Sequence, residues 1–190
     1  MLGKILVTET GEGKTSGKIV EVEAYTGIND PASHTYKGKR TPRTEIIYQE
    51  GGRVYVYSIY GIHICFNVVV NKKDIPECVF IRALQPGEGI EIMQKRRKTD
   101  SLKGLTSGPA RLTQALGIEM GFYGESLAGD RIYIVEGNSI PVEKVGRSAR
   151  VNIDYAGEAK AWLYRYYILG NPFLSAAPRS GSRSSSYHNY

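Results

Sequence analysis

The chain has 190 residues, of which 41% are hydrophobic and 23% charged, with a formal net charge of +6. That balance fits one globular domain with a sizeable core and excludes a disordered or fibrous protein. The longest apolar run, residues 62–70, is too short to span a bilayer, and Met1 leads straight into the strand-like Lys4-Ile5-Leu6-Val7 rather than a secretory leader, so a cytoplasmic or nucleoid-associated protein without membrane contact is expected.

In chain order, residues 3–9 and 17–25 read as strands joined by a turn over 10–16. Gly13-Lys14-Thr15 in that turn is reminiscent of a phosphate-binding loop. The required glycine five positions before Gly13 is absent, because residue 8 is threonine, and β-branched residues follow instead of a helix. A hairpin is the better reading. Residues 27–44 are polar and rich in turn formers, a long loop of the kind that is functional or disordered. Residues 53–70 read as two strands meeting near Gly61, and 79–84 as another ended by Pro86-Gly87. A helix is expected over 88–98, with Ile90, Met93 and Arg97 at helical spacing. A second opens at Ser107-Gly108-Pro109, shows Leu112, Ala115 and Leu116 on one face, and stops at Gly117. Residues 131–136 and 163–169 read as strands. From residue 176 the composition turns to Ser, Arg, Gly and Asn, which predicts a disordered tail after a domain of residues 1–175. The fold class is α+β: a single domain with a curved, mostly antiparallel β-sheet flanked by helices.

Several residues carry chemistry. Strict alternation puts Ile19, Glu21, Glu23 and Tyr25 on one side of their strand, with Val20, Val22 and Ala24 on the other. Taken alone, such a strand presents two solvated carboxylates. Glu23, however, sits where a rigid strand enters a long loop, a common site geometry. That loop holds His34 and a basic run, Lys37, Lys39, Arg40 and Arg43, with no acid among them; it is either a solvated surface or a set of phosphate contacts. Tyr55 and Tyr57 share a face. Tyr60 has the opposite parity and precedes Gly61, which places it at a turn with its ring free to project as a wedge. The histidines at 34, 63 and 188 have no metal-ligand spacing, so no metal site is expected. Cys65 and Cys78 lie in apolar strands and read as buried free thiols. A carboxylate among aromatic rings beside a basic loop suggests hydrolytic chemistry on a nucleic acid base.

The ordered set Glu23-Ala24-Tyr25, His34, Thr41-Pro42-Arg43, Tyr55-Val56-Tyr57 with Tyr60-Gly61, Cys65-Phe66-Asn67, Ile81-Arg82-Ala83-Leu84 with Pro86, Ser107-Gly108-Pro109, and Gly170 with Pro172 resembles the alkyladenine (methylpurine) DNA glycosylase family. Each motif alone is weak, but together and in order they cover nearly the whole chain outside the tail. The resemblance implies a fold like the C-terminal domain of formyltransferases. It also implies a monofunctional, cofactor-free, monomeric hydrolase that excises alkylated or deaminated purines from double-stranded DNA in base-excision repair. By similarity, Glu23 activates the attacking water and Arg82 helps to position it. Tyr25, His34 and Tyr57 hold the flipped base, Asn67 screens out guanine, and Tyr60 fills the gap left in the duplex. Lys37, Lys39, Arg40, Thr41 and Arg43 would contact the DNA backbone. Ser107 and Arg111 would join them at the opening of the second helix, where simple capping is an equal alternative. No lysine stands beside Glu23 in the motif, so a Schiff base is not indicated. Two departures stand out. The family's N-terminal segment runs into the residues matching Leu2-Gly3, so this sequence is expected to start inside that element, and His63 stands where the family often has an aromatic ring. Rival readings are a non-catalytic damaged-DNA or RNA-binding module of the same fold and a hydrolase of small nucleosides.

Overall fold

A computed structural model of the chain describes residues 1–175; the tail expected from residue 176 lies outside the described residues. The described strands are β1 (Ile5–Thr10), β2 (Gly13–Tyr25), β3 (Val54–Ile59), β4 (His63–Val70), β5 (Glu77–Pro86), β6 (Ile132–Val135), β7 (Val145–Ser148) and β8 (Arg165–Ile168). All their pairings are antiparallel, in a curled sheet of order β3-β4-β5-β2-β1-β6. β2 is the spine. One edge pairs with β5, while the other is shared between β1, along its first half, and β8, opposite Glu21 to Glu23. β8 in turn pairs with β7. The helices are α1 (Ile90–Arg97) and α2 (Pro109–Leu116); α2 packs against β4 and β5.

Most expected elements form, with shifted ends. The first turn is tighter than expected: only Gly11 and Glu12 lie between the paired Thr10 and Gly13, so Lys14-Thr15-Ser16 belong to a strand and hold no phosphate loop. Thr15 is buried with its hydroxyl 2.7 Å from that of Thr8. α1 is shorter than the 88–98 expected because Gly89 before it and Lys98 after it are both left-handed, at φ 76° and 51°. α2 buries Leu112, Ala115 and Leu116 as its pattern predicts, with Pro109 opening it and Gly117 ending it. The 27–44 loop contains 3-10 turns at Gly27–Asn29 and Tyr36–Gly38. β7 escaped the sequence reading because Val145-Gly146-Arg147-Ser148 has little strand character and becomes a strand by pairing with β8.

The expected alternation of β2 fails at one point that matters. Its register against β5 shifts on both sides of Glu21: Ile19 pairs with Leu84, Glu21 with Ala83 and Val22 with Ile81. This bulge reverses the facing of the strand. Ile19 and Val22, which strict alternation would separate, both enter the main core with Leu6, Val56, Phe66 and Ile81. Glu21 and Glu23 therefore part company with Ile19 and turn together toward Arg82 on the opposite face. Both are 0% exposed, so neither is the solvated carboxylate of the simpler reading.

Candidate active site

Leaving a carboxylate unpaired in such a place would cost several kcal/mol, so its partners define the site. Glu23 has three. The Tyr25 hydroxyl donates to Oε2 at 2.9 Å, the Val151 backbone N–H donates to Oε1 at 2.8 Å, and Arg82 Nη1 lies 3.3 Å from Oε1. A carboxylate offers about four lone-pair positions; among the described residues two accept hydrogen bonds and Arg82 adds an ion pair, so acceptor capacity remains for a donor such as a water. Arg82, from β5, is shared: its Nε donates to Glu21 Oε1 at 3.0 Å. Arg165, from β8, donates to the same oxygen at 2.8 Å. Burial alone would raise the Glu21 carboxyl pKa; the hydrogen bonds from Arg165 and Ser175 outweigh it and hold the group below its ordinary value. Two carboxylates thus face two guanidiniums inside the protein.

In front of this wall lies a small cavity whose lining includes Tyr25, His34, Tyr55, Tyr57, Asn67 and Tyr155. Tyr55 and Tyr57 share a face of β3 as expected, and β4 brings Asn67 opposite Tyr55. The His34 ring meets Tyr57 edge-on at 4.8 Å between centroids and lies with Nδ1 2.8 Å from the Tyr55 hydroxyl. Burial, then the charges of Arg43 and Lys39, lower the His34 pKa to about 4, so the imidazole is neutral at neutral pH. Burial, reinforced by the Glu23 charge, raises the Tyr25 phenol and keeps it a donor. The Asn67 amide is tied at both ends: Nδ2 donates to the Tyr55 carbonyl at 3.1 Å, and Oδ1 accepts from the Cys78 thiol at 3.9 Å. Burial pushes the Cys65 and Cys78 thiols up to about 11 and about 12, consistent with inert buried cysteines.

The cavity adjoins a wider cleft lined by Arg43, Tyr57, Tyr60, His63, Arg82 and Val151, among others. Tyr60 stands at the tip of the β3–β4 hairpin, 90% exposed and at φ 54°, a conformation that is costly for any residue except glycine. Ile62 beside it is 76% exposed. The basic loop is less uniform than its sequence. Lys37, Lys39 and Arg43 are exposed, but Arg40 is bound to Glu45 at 2.6 Å and to Asp74 at 3.3 Å. The acid-free run therefore meets its acids from elsewhere in the chain. Thr41 exchanges hydrogen bonds with Thr44. The Ser107 hydroxyl is buried without a hydrogen-bond partner among the described residues, and Arg111 is exposed one turn inside α2.

Besides Arg165, sequence reasoning missed four contributors, Asp30, Arg150, Val151 and Tyr155. Asp30, read only as a turn former, lies 120 residues from Arg150, with which it forms a buried bidentate pair at 2.5 and 2.8 Å. Asp30 also accepts the Thr26 and Ala32 N–H groups, while Arg150 donates to the Ala24 carbonyl and lies over the Tyr25 ring. This pair ties the His34 loop to the segment that delivers Val151 and Tyr155. None of the four carries a local signal, since each acquires its role by a long-range contact. Among the described residues, no group of three or more His, Cys, Asp or Glu could hold a metal ion, and no helix is long and apolar enough to cross a membrane.

With this geometry in view, similarity to known proteins points one way. Residues 1–172 match the family model described as methylpurine-DNA glycosylase. A protein of Clostridium acetobutylicum named "Putative 3-methyladenine DNA glycosylase" is 50% identical over 183 residues, covering 92% of this chain and 89% of that one. Proteins of the same name from Clostridium novyi and Bacillus subtilis are 47% and 42% identical, over 92% of this chain and 90% and 88% of theirs. The carboxylate wall and aromatic cavity thus belong to a chain that is a member of the methylpurine-DNA glycosylase family.

Proposed function

We propose that this protein is a monofunctional DNA glycosylase that flips alkylated or deaminated purines out of duplex DNA and hydrolyses their N-glycosidic bond, as the first step of base-excision repair. The observation that carries this reading is Glu23: a fully buried carboxylate held by Tyr25, Arg82 and the Val151 N–H, with acceptor capacity to spare, behind an aromatic cavity. The base departs with the electron pair of the glycosidic bond, an alkylpurinium as the neutral base and a deaminated purine after taking a proton from solvent, and leaves an oxocarbenium-like sugar. A fixed negative charge stabilises that cation while accepting a proton from the attacking water.

The aromatic cavity suits the substrate class. A base inside a duplex is out of reach, and extruding it costs a few kcal/mol, least for a damaged or mispaired base. Rings of Tyr25 and Tyr57 attract a cationic alkylpurine by about 0.5–2 kcal/mol. A neutral His34 hydrogen-bonds to the base without repelling that cation. Asn67, tied at both ends, does not swing aside for the exocyclic amino group of guanine. Tyr60 fills the duplex gap. Lys37, Lys39, Arg43, Thr41, Ser107 and Arg111 contact the backbone, with Arg40 a weaker contributor because Glu45 and Asp74 already hold it. No lysine lines the cavity or the cleft among the described residues, which supports hydrolysis without a Schiff base.

The test is release of 3-methyladenine, 7-methylguanine, hypoxanthine and 1,N6-ethenoadenine from duplex oligonucleotides, with Glu23→Gln as control. Base release without strand cleavage, abolished in the variant, is expected. Lesion binding without release by the wild type would favour the non-catalytic module. Activity on free nucleosides that is indifferent to Tyr60→Ala would favour a nucleoside hydrolase.

A further inference from the structure

Glu21 is more heavily hydrogen-bonded than the carboxylate assigned to the chemistry, and its partners come from three distant parts of the chain. Oε1 accepts from Arg82 Nε at 3.0 Å, from Arg165 Nε at 2.8 Å and from the Ser175 hydroxyl at 2.7 Å; Oε2 accepts the Ser175 backbone N–H at 2.6 Å. Ser175 also receives a hydrogen bond from Arg82 Nη2 at 3.3 Å. The segment that brings Ser175 there is built for the purpose. After β8 the chain turns at Gly170, left-handed at φ 72°. Asn171 then accepts the Phe173 N–H in a local turn and donates to Gln85 Oε1 at 3.0 Å. Gln85 lies on β5, the strand that carries Arg82. The matched family region ends at residue 172, so Ser175 lies beyond it.

We infer that Glu21 and Ser175 are positioning residues: the end of the domain latches onto Glu21, and together they aim the Arg82 guanidinium at Glu23. The physical reason is the fork of the arginine side chain. Nε is held by Glu21 and Nη2 by Ser175, which fixes the plane of the guanidinium with Nη1 in ion-pair contact with Glu23 Oε1 at 3.3 Å. A guanidinium held by Glu21 alone keeps a hinge about Nε; the serine removes it. Glu21 also neutralises one of the two cations, so that Arg82 does not collapse fully onto Glu23 and take up its remaining acceptor position.

The inference rests on the proposed role of Glu23 and Arg82, and its test separates the two. In the full chain, Ser175→Ala deletes the hydroxyl and keeps the N–H, while Ser175→Thr keeps both. For Ser175→Ala, single-turnover base release is expected to fall about tenfold, the size of one lost hydrogen bond to a charged group, with lesion-duplex Kd unchanged. Ser175→Thr should restore the rate. A second readout does not depend on turnover: in NMR spectra assigned with Arg82→Lys, the Arg82 Nε–H should exchange slowly in the wild type and faster in Ser175→Ala. Wild-type rate and unchanged exchange in Ser175→Ala would overturn the latch while leaving the role of Glu23 intact. A loss that threonine does not rescue would also overturn it, showing a structural role only. If Glu23→Gln retains full activity, the hydrolytic reading fails, and the Arg82 exchange rate alone then decides the latch.

Discussion

The carboxylate wall and the hairpin tip differ in almost every physical respect. At the wall, Glu21, Glu23, Arg82 and Arg165 are buried, paired and fixed by three strands. At the tip, Tyr60 and Ile62 are exposed, the backbone is left-handed, and the adjoining basic loop presents Lys37 and Lys39 to solvent. A buried ionic cluster is a poor source of stability compared with an apolar core of the same volume. An exposed tyrosine in a left-handed turn is likewise poor for folding. On the proposed function both arrangements make sense: the wall would hold a charge ready away from bulk water, and the tip would meet the DNA that covers it. The division predicts that changes at the wall alter the rate of chemistry, while changes at the tip alter engagement of DNA.

The largest effect should come from Glu23→Gln, which keeps the shape of the side chain and removes its charge. Single-turnover base release should fall by about 10²–10⁴-fold, with lesion-duplex Kd unchanged. A matched loss of affinity would blur the two regions. Next comes the Asp30–Arg150 strut, which ties the His34 loop to the segment carrying Val151. Arg150→Met leaves Asp30 buried and uncompensated, and urea unfolding should show a loss of about 3–5 kcal/mol. A loss below about 1 kcal/mol would mean that the loop is anchored by other contacts.

A sharper contrast is expected at the tip. Tyr60→Gly should weaken lesion-duplex binding by about 1–3 kcal/mol, the size of one base–aromatic stack. The same change should raise Tm, because glycine accepts φ 54° freely. A fall in Tm would show that the tyrosine ring has a structural role. The smallest effect concerns pH. His34 has a folded pKa of about 4 against an ordinary 6.5. Between those values the unfolded chain binds the proton and the folded chain does not, so stability falls as pH drops from about 6.5 to about 4 and then levels. His34→Gln should flatten that part of the Tm–pH curve; an unchanged slope would place the acid sensitivity elsewhere.

Local signals in the sequence carried much of this architecture. The β-branched runs marked strands, Pro109 and Gly117 bracketed α2, and the parity of Tyr60 against Tyr55 and Tyr57 placed it at the hairpin tip. The wall was only half legible. The position of Glu23 at a strand end was readable, but its burial was not, because a β-bulge leaves no mark in the residue types around Glu21 and reverses the face of everything after Ile19. The Asp30–Arg150 strut, the Val151 N–H and the Ser175 latch join residues more than 100 positions apart. Side-chain chemistry told which groups needed partners; only the topology of β2, with β1 and β8 sharing one edge, told which partners they found.

The most direct test of the division is to watch flipping and release together. A duplex carrying 2-aminopurine beside the lesion reports unstacking by fluorescence, and base release is followed in the same samples under single-turnover conditions. For Glu23→Gln the fluorescence rise should match the wild type while release is lost; for Tyr60→Ala the rise itself should shrink. Release by Glu23→Gln at the wild-type rate, or loss of its fluorescence rise, would contradict the assignment of chemistry to the buried wall and engagement to the exposed tip.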